Sequence, residues 1–155
     1  MKKFVFIMGV AILTLCMTAC KTQSKASNSS STENTSVSTA DVLTGKSWNL
    51  IELFGNPVTV NKHNVAHLVF TAEDNRFSGS TGCNRISGAY QIAAPDRITF
   101  SQVVATRMLC IDMEVENKFL EALNTAGNFS IRNDTLTLNS AQMAPLARFS
   151  AVQVK

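Results

Sequence analysis

The side chains best suited to chemistry in this sequence are two cysteines and two histidines. Cys83 lies in the stretch FSGSTGCNRISGAY and Cys110 in ATRMLC, while His63 and His67 lie four residues apart in HNVAH. A nucleophilic cysteine needs a base and a third group that orients the base. A zinc-protease helix needs a glutamate directly after its first histidine, and this chain has Asn64 there. We therefore predict surface histidines, no metal site and no catalytic constellation, although a histidine pair with a third ligand is able to bind metal.

The glycines around Cys83 fit a bend in the chain better than an active site. A nucleophile elbow, G-x-S-x-G, requires its serine in the middle position, and Ser80 comes one residue too early. A phosphate loop ends in Gly-Lys-Ser/Thr, which this stretch lacks. Glycine permits tight bends and the close approach of two backbone segments. The stretch therefore predicts two strand segments hinged at Gly82–Arg85 in a protein that is not an enzyme; a hydrolase or thiol enzyme is the least favoured alternative.

Residues 1–19 have the features of a signal peptide that directs export. Two lysines precede an apolar run, FVFIMGVAILTLCM, which one threonine interrupts. The run is roughly 14 residues long, shorter than the ~20 that a membrane-spanning helix needs. Its end, Met17-Thr18-Ala19-Cys20, resembles a bacterial lipoprotein signal, in which the cysteine is acylated and becomes the mature N-terminus. An ordinary cleaved signal and a transmembrane anchor are the alternatives.

Acylation of Cys20 would make a membrane the first partner of this protein. Each buried methylene of an acyl chain contributes about 0.8 kcal/mol, so that several chains on one residue anchor a protein stably. The next residue is Lys21 and not the aspartate that retains many lipoproteins in the inner membrane. We therefore expect attachment to the outer membrane, with the periplasmic and the surface face both left open.

The charge of the chain argues against nucleic acid as a partner. The formal net charge of +3 includes two lysines of the signal peptide, and it falls to about +1 when residues 1–19 are removed. A nearly neutral protein without a block of basic residues lacks the electrostatic footprint of a nucleic-acid-binding protein. That class is excluded.

Composition divides the rest of the chain into a tether and one domain. Residues 20–42 are rich in serine and threonine and contain no aromatic residue. Such a segment buries too little apolar surface to offset its ordering entropy, which predicts a flexible tether. At ~5–6 Å × √n, its typical reach is roughly 25–30 Å. Apolar and aromatic residues then become frequent, so residues 43–155 are predicted to form a single domain of ordinary size.

Export accounts for two of the four cysteines. Cys16 leaves with the signal peptide and Cys20 is the predicted site of acylation, which leaves Cys83 and Cys110 in an oxidising compartment. An even pair in that setting predicts one disulfide bond. Closing a loop of about 28 residues would stabilise the domain by roughly 3–4 kcal/mol through its effect on the unfolded chain. Reduced structural thiols and a reactive cysteine are the alternatives.

The apolar residues of the domain mostly recur with a period of two, which is typical of strands. Turn residues bound these segments at short spacing and predict antiparallel pairing. One segment, about 112–124, has apolar residues at helical spacing instead, with Asp112 as the predicted N-cap and Asn124 and Gly127 at its end. The pattern predicts an α+β, strand-rich fold with one amphipathic helix on the sheet. The clearest predicted strands include His67–Phe70, Ile86–Ile92, Arg97–Phe100, Phe129–Ile131, Thr135–Leu138 and Leu146–Val152.

Four segments in a fixed order resemble the META/HslJ-like domain family. They are GCNR at 82–85, SGAY at 87–90, TRMLC at 106–110 and FLEAL at 119–123, and the matching region spans about residues 44–150. Members of this family are commonly bacterial lipoproteins or secreted proteins. The resemblance implies an antiparallel sheet curled into a partial barrel around a helix, together with an association with heat-shock and antibiotic stress. No catalytic site is established for the family, so we predict no catalytic residues and no cofactor.

The matching segments contain three polar side chains that suit contacts, Asn84, Arg85 and Arg107. An arginine fork suits either hydrogen bonds to backbone carbonyls or contact with an anionic ligand or partner, and we favour the first. Asn84 is predicted to cap a turn through its side chain.

Two hypotheses of function arise from these features. The first is a non-enzymatic, lipid-anchored envelope protein whose META/HslJ-like domain serves protein interaction or stress tolerance, with an unknown envelope protein as partner. The alternative is a carrier of a small apolar or lipid-like ligand held in the mouth of the barrel.

Overall fold

The computed structural model describes residues 39–59, 64–93, 95–110 and 113–153. Cys20, His63, Asp112 and the predicted signal peptide lie outside the described residues, as does most of the predicted tether. The described ranges contain two helices and nine strands: α1 (Thr39–Leu43), β1 (Lys46–Leu53), β2 (Asn56–Pro57), β3 (His67–Thr71), β4 (Arg76–Ser80), β5 (Arg85–Ala93), β6 (Arg97–Ala105), α2 (Glu114–Thr125), β7 (Ala126–Arg132), β8 (Thr135–Ser140) and β9 (Pro145–Gln153).

The strands form one antiparallel sheet that closes on itself. The order is β2-β1-β3-β4-β5-β6-β7-β8-β9, and β1 also pairs with β9, so that eight strands complete a barrel and the short β2 lies beside β1. Closure leaves these strands few unpaired edges. The predicted α+β, strand-rich fold with a curled antiparallel sheet and one amphipathic helix is confirmed, and the short α1 is an addition to it.

Strand β1 contains a bulge that interrupts the alternation of buried and exposed side chains. Trp48 and Leu50 point into the core, and strict alternation would place Glu52 beside them. The register between β1 and β9 shifts between Leu50 and Glu52, so that Leu53 is buried instead. The extra residue therefore keeps the carboxylate at the surface, where Glu52 meets Arg148 at 3.3 Å.

Helix α2 begins and ends close to its predicted limits but with different caps. Its N-cap is Met113, without a side-chain hydrogen bond, one residue after the predicted cap at Asp112. Thr125 leads directly into β7, so Gly127 belongs to a strand and does not terminate the helix. Glycine is needed at that position for another reason, because a Cβ would lie 2.9 Å from the backbone nitrogen of Ala141.

Helix α2 joins the two strands of the barrel that share the shortest ladder. The ladder between β6 and β7 has a single pair, Arg97 with Asn128. The helix connects these two strands and packs against β6, β1, β8 and β9. Phe119 and Leu123 are fully buried, and the Phe119 ring centroid lies 5.6 Å from that of Phe149. The apolar face of α2 is therefore part of the core, as its spacing predicts.

Large side chains fill the interior of the barrel. Phe70 contacts Tyr90 edge to face at 5.1 Å between ring centroids, and Phe77 contacts Phe100 in the same way at 5.2 Å. Burial raises the pKa of Tyr90 above its ordinary value, since the phenolate would be desolvated. The largest fully buried side chains are Trp48, Tyr90, Phe77, Phe119 and Phe149.

Candidate functional site

The matching segments GCNR and TRMLC come together around one buried amide, that of Asn84. This residue lies in the connection between β4 and β5, and its exposed fraction is 0%. Its neighbours come from the segment after β6 and from the first turn of α2. We call the residues joined to it, Thr81, Asn84, Thr106, Met108 and Glu116, the Asn84 network.

The Asn84 side chain uses both ends of its amide to tie three segments together. Its Nδ2 donates to Glu116 Oε2 at 2.8 Å and Oε1 at 3.0 Å, and to the Met108 carbonyl at 3.2 Å. Its Oδ1 accepts from Thr106 Oγ1 at 2.8 Å and from the Met108 backbone nitrogen at 2.7 Å. The sequence predicts only that Asn84 caps a turn. In the structure its side chain instead bonds the β4–β5 connection to the segment after β6 and to helix α2.

Thr81 closes the tight turn that presents Asn84. Its backbone nitrogen donates to the Asn84 carbonyl at 2.8 Å, and its Oγ1 accepts from the Asn84 nitrogen at 2.9 Å. The same hydroxyl donates to Glu116 Oε2 at 2.8 Å. Between them Gly82 has φ +92°, a conformation that residues with a Cβ rarely adopt. The glycine beside Cys83 therefore serves a turn, as the sequence predicts.

Glu116 is the member of the network that lies outside the stretches FSGSTGCNRISGAY and ATRMLC. Only 6% of it is exposed, and its carboxylate accepts hydrogen bonds from Thr81 and Asn84. It lies in the first turn of α2, where the helix dipole also favours a negative charge. A signal was present, since positions 116, 119, 120 and 123 share one helical face, and that face is the buried one.

A disulfide bond joins Cys83 and Cys110 in the predicted pairing. Their Cα atoms are 6.3 Å apart, within the usual range for such a bond. Asn84 Nδ2 lies 3.4 Å from Cys83 Sγ, so the bond borders the network. The covalent link and the hydrogen bonds hold the same two segments, the β4–β5 connection and residues 106–110.

The two arginines adjoin the network, but their side chains do not take part in it. Arg85 contributes its backbone, which donates to Thr106 Oγ1 at 3.1 Å and accepts from the Thr106 nitrogen at 3.0 Å. Within the described ranges, neither the Arg85 nor the Arg107 guanidinium forms a hydrogen bond or an ion pair, and both residues are exposed. The structure thus shows no bond from either fork to a backbone carbonyl of a described residue.

Three exposed apolar residues adjoin these arginines along the chain or across the β5–β6 ladder. Leu109 is 100% exposed, Val104 60% and Met108 59%. Val104 pairs with Ser87 across the β5–β6 ladder, two residues along from Arg85. We call Arg85, Val104, Arg107, Met108 and Leu109 the Leu109 patch. The sequence did not indicate this patch, because Met108 and Leu109 have the residue types of a core.

The histidines and a surface cavity complete the chemically relevant features. His67 Nδ1 lies 2.9 Å from the Val65 carbonyl, and across the described ranges no three His, Cys, Asp or Glu side chains are placed to hold a metal ion. A cavity of about 290 Å³ lies beside the start of α2; its lining mixes apolar and charged side chains, including Leu53, Val115 and Lys118. The Lys118 ammonium in that lining is paired with Glu114 at 2.6 Å.

These observations define a class of protein: a closed antiparallel barrel with one amphipathic helix packed against it, fastened at one end by a disulfide and a buried amide. A family model described as the META domain matches residues 41–153, and the chain belongs to the META domain family. The resemblance seen in the sequence is thereby confirmed. Comparison with curated protein sequences gives no match.

Three solved structures share the fold. A protein solved by NMR is 28% identical, with 72% of this chain and 93% of that chain covered and a TM-score of 0.58. An NMR structure from Burkholderia xenovorans is 21% identical over 74% of this chain and 87% of its own, with a TM-score of 0.58. The crystal structure of a DUF4847 family protein from Bacteroides vulgatus is 18% identical over 74% and 98%, with a TM-score of 0.56. In the part of the chain that the structure describes, neither helix has the length and apolar character to cross a membrane.

Proposed function

We propose that this chain is a lipid-anchored protein of the cell envelope, without enzymatic activity, whose META domain serves as an interaction module in stress tolerance. Cys20 would carry the anchor to the outer membrane and residues 21–42 would act as the tether. The domain would then meet its partner through the Leu109 patch.

One observation carries this proposal: the polar side chains of the Asn84 network form hydrogen bonds with one another. Asn84 uses both ends of its amide within the network, and Glu116 accepts from Thr81 and Asn84. A catalytic centre needs groups that reach a substrate, and these groups are buried. The exposed residues that adjoin the network form the Leu109 patch. This patch combines apolar and cationic side chains, as protein interfaces do.

The alternative, a carrier of a small apolar ligand in the barrel mouth, receives less support. Aromatic side chains such as Trp48, Tyr90 and Phe77 are fully buried in the interior, where such a ligand would have to lie. The cavity beside α2 is lined in part by charged residues, unlike the mainly apolar sites of lipid carriers. Native mass spectrometry of protein extracted from membranes tests this alternative, and a reproducible added mass would favour the carrier.

Site-specific cross-linking in the native envelope tests the interaction module. A photoreactive amino acid replaces Leu109 in the full chain, and the control replaces Glu73, an exposed residue in the turn at the other end of β4. We expect a reproducible adduct from position 109, with either a protein or a lipid, and none from position 73. Equal or absent adducts would refute the proposal.

Fractionation of cells that produce the Cys20→Ser variant tests the anchor separately. The unaltered chain should sediment with outer membranes, and the variant should not. Sedimentation of both to the same extent would remove the anchor from the proposal.

A further inference from the structure

The Leu109 patch is produced by two local irregularities of the fold. In β6, Ile98 is buried and Phe100 partly buried, and strict alternation would carry Val104 to the interior as well. The β5–β6 register instead shifts between the pairs Ala89–Ser101 and Ser87–Val104, which inserts one extra residue into β6. Val103 and Ala105 therefore pack against the core while Val104 turns outward. Bulges of this kind serve to redirect a side chain.

The bulge requires an unfavourable backbone conformation. Gln102 has φ +52°, a left-handed value that a residue with a Cβ seldom adopts. Such strain persists where the surrounding structure enforces it, and it is concentrated at functional positions. The bulge thus places a strained backbone at Gln102 and an exposed apolar side chain at Val104. Folding alone favours neither of these features.

The second irregularity holds Met108 and Leu109 away from the core. Both backbone groups of Met108 bond to the Asn84 side chain, at 2.7 Å and 3.2 Å, and Cys110 is fixed to Cys83 by the disulfide. The segment between these attachments is too short to fold inward. Leu109 is therefore fully exposed in a fixed position rather than at a free end.

The charge of the patch complements an anionic surface. Arg107 directly precedes Met108 and Leu109 in the chain, and Arg85 lies two residues from Ser87, the ladder partner of Val104. Both arginines are exposed and form no ion pair with a described residue. A guanidinium fork binds phosphate oxygens well, and basic residues near a membrane are attracted to anionic headgroups. Apolar side chains next to such cations match the boundary between headgroups and acyl chains.

We propose that the Leu109 patch docks the domain onto an anionic lipid surface, with the arginines at the lipid phosphates and Leu109, Met108 and Val104 in the outer part of the acyl layer. The inference rests on the proposed function, since an anchor at Cys20 and a tether reaching roughly 25–30 Å hold the domain near lipid. The patch comprises five residues, whereas a stable protein interface uses about 20–30 residues a side. A tethered domain needs only a weak contact, so a small patch suits a membrane better than a protein.

Quenching by brominated lipids tests the docking in the full chain. Leu109→Trp supplies the reporter, and Glu73→Trp at the opposite end of β4 is the matched control; the natural Trp48 is fully buried and gives a constant background. Each chain is mixed with vesicles of phosphatidylcholine alone or with phosphatidylglycerol added. Flotation separates the vesicle-bound fraction, and quenching is measured on that fraction.

We expect the tryptophan at position 109 to be quenched on anionic vesicles, more weakly on neutral ones, and the tryptophan at position 73 on neither. Adding Arg85→Gln or Arg107→Gln to the Leu109→Trp chain should lower the ratio of docked to undocked protein about fivefold each. The two substituted residues are exposed, so folding should be unaffected.

The outcomes separate this inference from the proposed function. A chain that floats on both kinds of vesicle, with position 109 quenched no more than position 73, overturns the docking and leaves the anchor intact. A chain that floats on neither overturns both. A protein adduct from position 109 in cells, together with absent quenching, assigns the patch to a protein partner and rejects the lipid surface.

Discussion

The Asn84 network and the Leu109 patch share two short segments, residues 81–85 and 104–109, to which the network adds Glu116 of α2, yet their chemistry is opposite. Asn84 is fully buried with its amide bonded at both ends, whereas the next residue, Arg85, extends its side chain into solvent. Met108 belongs to both, because its backbone bonds to Asn84 while its side chain is 59% exposed. The polar groups of the network hold the fold together, and the charges of the patch face solvent.

This difference assigns separate roles to residues that are neighbours in sequence. Buried polar groups stabilise a structure only when each has a partner, which is the case in the network. An exposed Leu109 and a strained Gln102 contribute nothing comparable to stability. Substitutions should therefore divide sharply into those that unfold the domain and those that leave it folded.

Loss of the Asn84 side chain should have the largest effect. Asn84→Ala leaves the Glu116 carboxylate buried with fewer donors, and we expect the free energy of unfolding to fall by about 3–5 kcal/mol. Urea denaturation followed by the fluorescence of Trp48, the only tryptophan of the chain, measures the change. Arg85→Gln is the matched control and should alter stability by less than about 0.5 kcal/mol. Similar losses in both variants would erase the distinction between network and patch.

A double-mutant cycle shows whether the network acts as a unit. Asn84→Leu and Glu116→Leu should each be destabilising, but the pair should cost less than their sum by at least about 1 kcal/mol, since neither polar group is then left alone. The same denaturation experiment gives all four free energies. Strict additivity would mean that Asn84 and Glu116 do not support each other.

The disulfide should come next in size. Cys83→Ser with Cys110→Ser should lower the free energy of unfolding by about 3–4 kcal/mol on the chain-entropy model, with Asn84 still holding Met108 in place. Thermal and urea denaturation of the double variant measure the loss. A larger loss than that of Asn84→Ala would make the covalent bond, and not the amide, the principal support of the patch.

The Tyr90 hydroxyl offers a contrast to the network, because its hydrogen bond to the Thr71 carbonyl is long, at 3.4 Å. Burial raises the pKa of this phenol above 10.0, so the unfolded chain ionises first as the pH rises. The stabilisation is present below pH about 10 and is lost above it, as the pH rises toward the folded-state pKa. Alkaline denaturation followed by phenolate absorbance of this single tyrosine should show the loss.

Tyr90→Phe supplies the control for that pH dependence. The variant should have a flatter stability curve above pH about 10, because it has no group to ionise there. An unchanged slope would show that other groups cause the alkaline loss.

Substitutions in the patch itself should have the smallest effect on folding. Leu109→Ser and Arg107→Gln remove groups without partners among the described residues, so stability should change by less than about 0.5 kcal/mol. In the lipid-docking assay, by contrast, Arg107→Gln added to the Leu109→Trp chain should lower docking about fivefold. A destabilising Leu109→Ser would place that side chain in the core of the folded protein in solution.

Much of the fold was predictable from local patterns. The alternation in β5, the spacing in α2 and the turn at Gly82 each result from residue type and period, and the structure contains all three. The cap at Asp112 and the end at Gly127 were wrong, since the helix begins after Met113 and runs directly into β7. The end of a helix depends on where the next element lies in space, and here β7 sets that end.

The site was less predictable, for two physical reasons. The pairing of Asn84 with Glu116 joins residues 32 positions apart, which no local period reveals. The exposure of Val104 depends on an extra residue in the β5–β6 ladder, and a bulge reverses the side of every residue beyond it. The burial of Glu116 could in part be predicted from its position on the apolar face of α2.

The central claim is that the GCNR and TRMLC segments both stabilise the fold through the Asn84 network and present the Leu109 patch to solvent. Hydrogen exchange at two adjacent amides tests this claim. The Met108 amide donates to the buried Asn84 Oδ1, whereas the Leu109 amide forms no hydrogen bond with a described residue. We predict strong protection of the Met108 amide in an otherwise exposed segment, fast exchange at Leu109, and loss of the Met108 protection in Asn84→Ala. Equally fast exchange at Met108 and Leu109 in the unaltered chain would contradict the account.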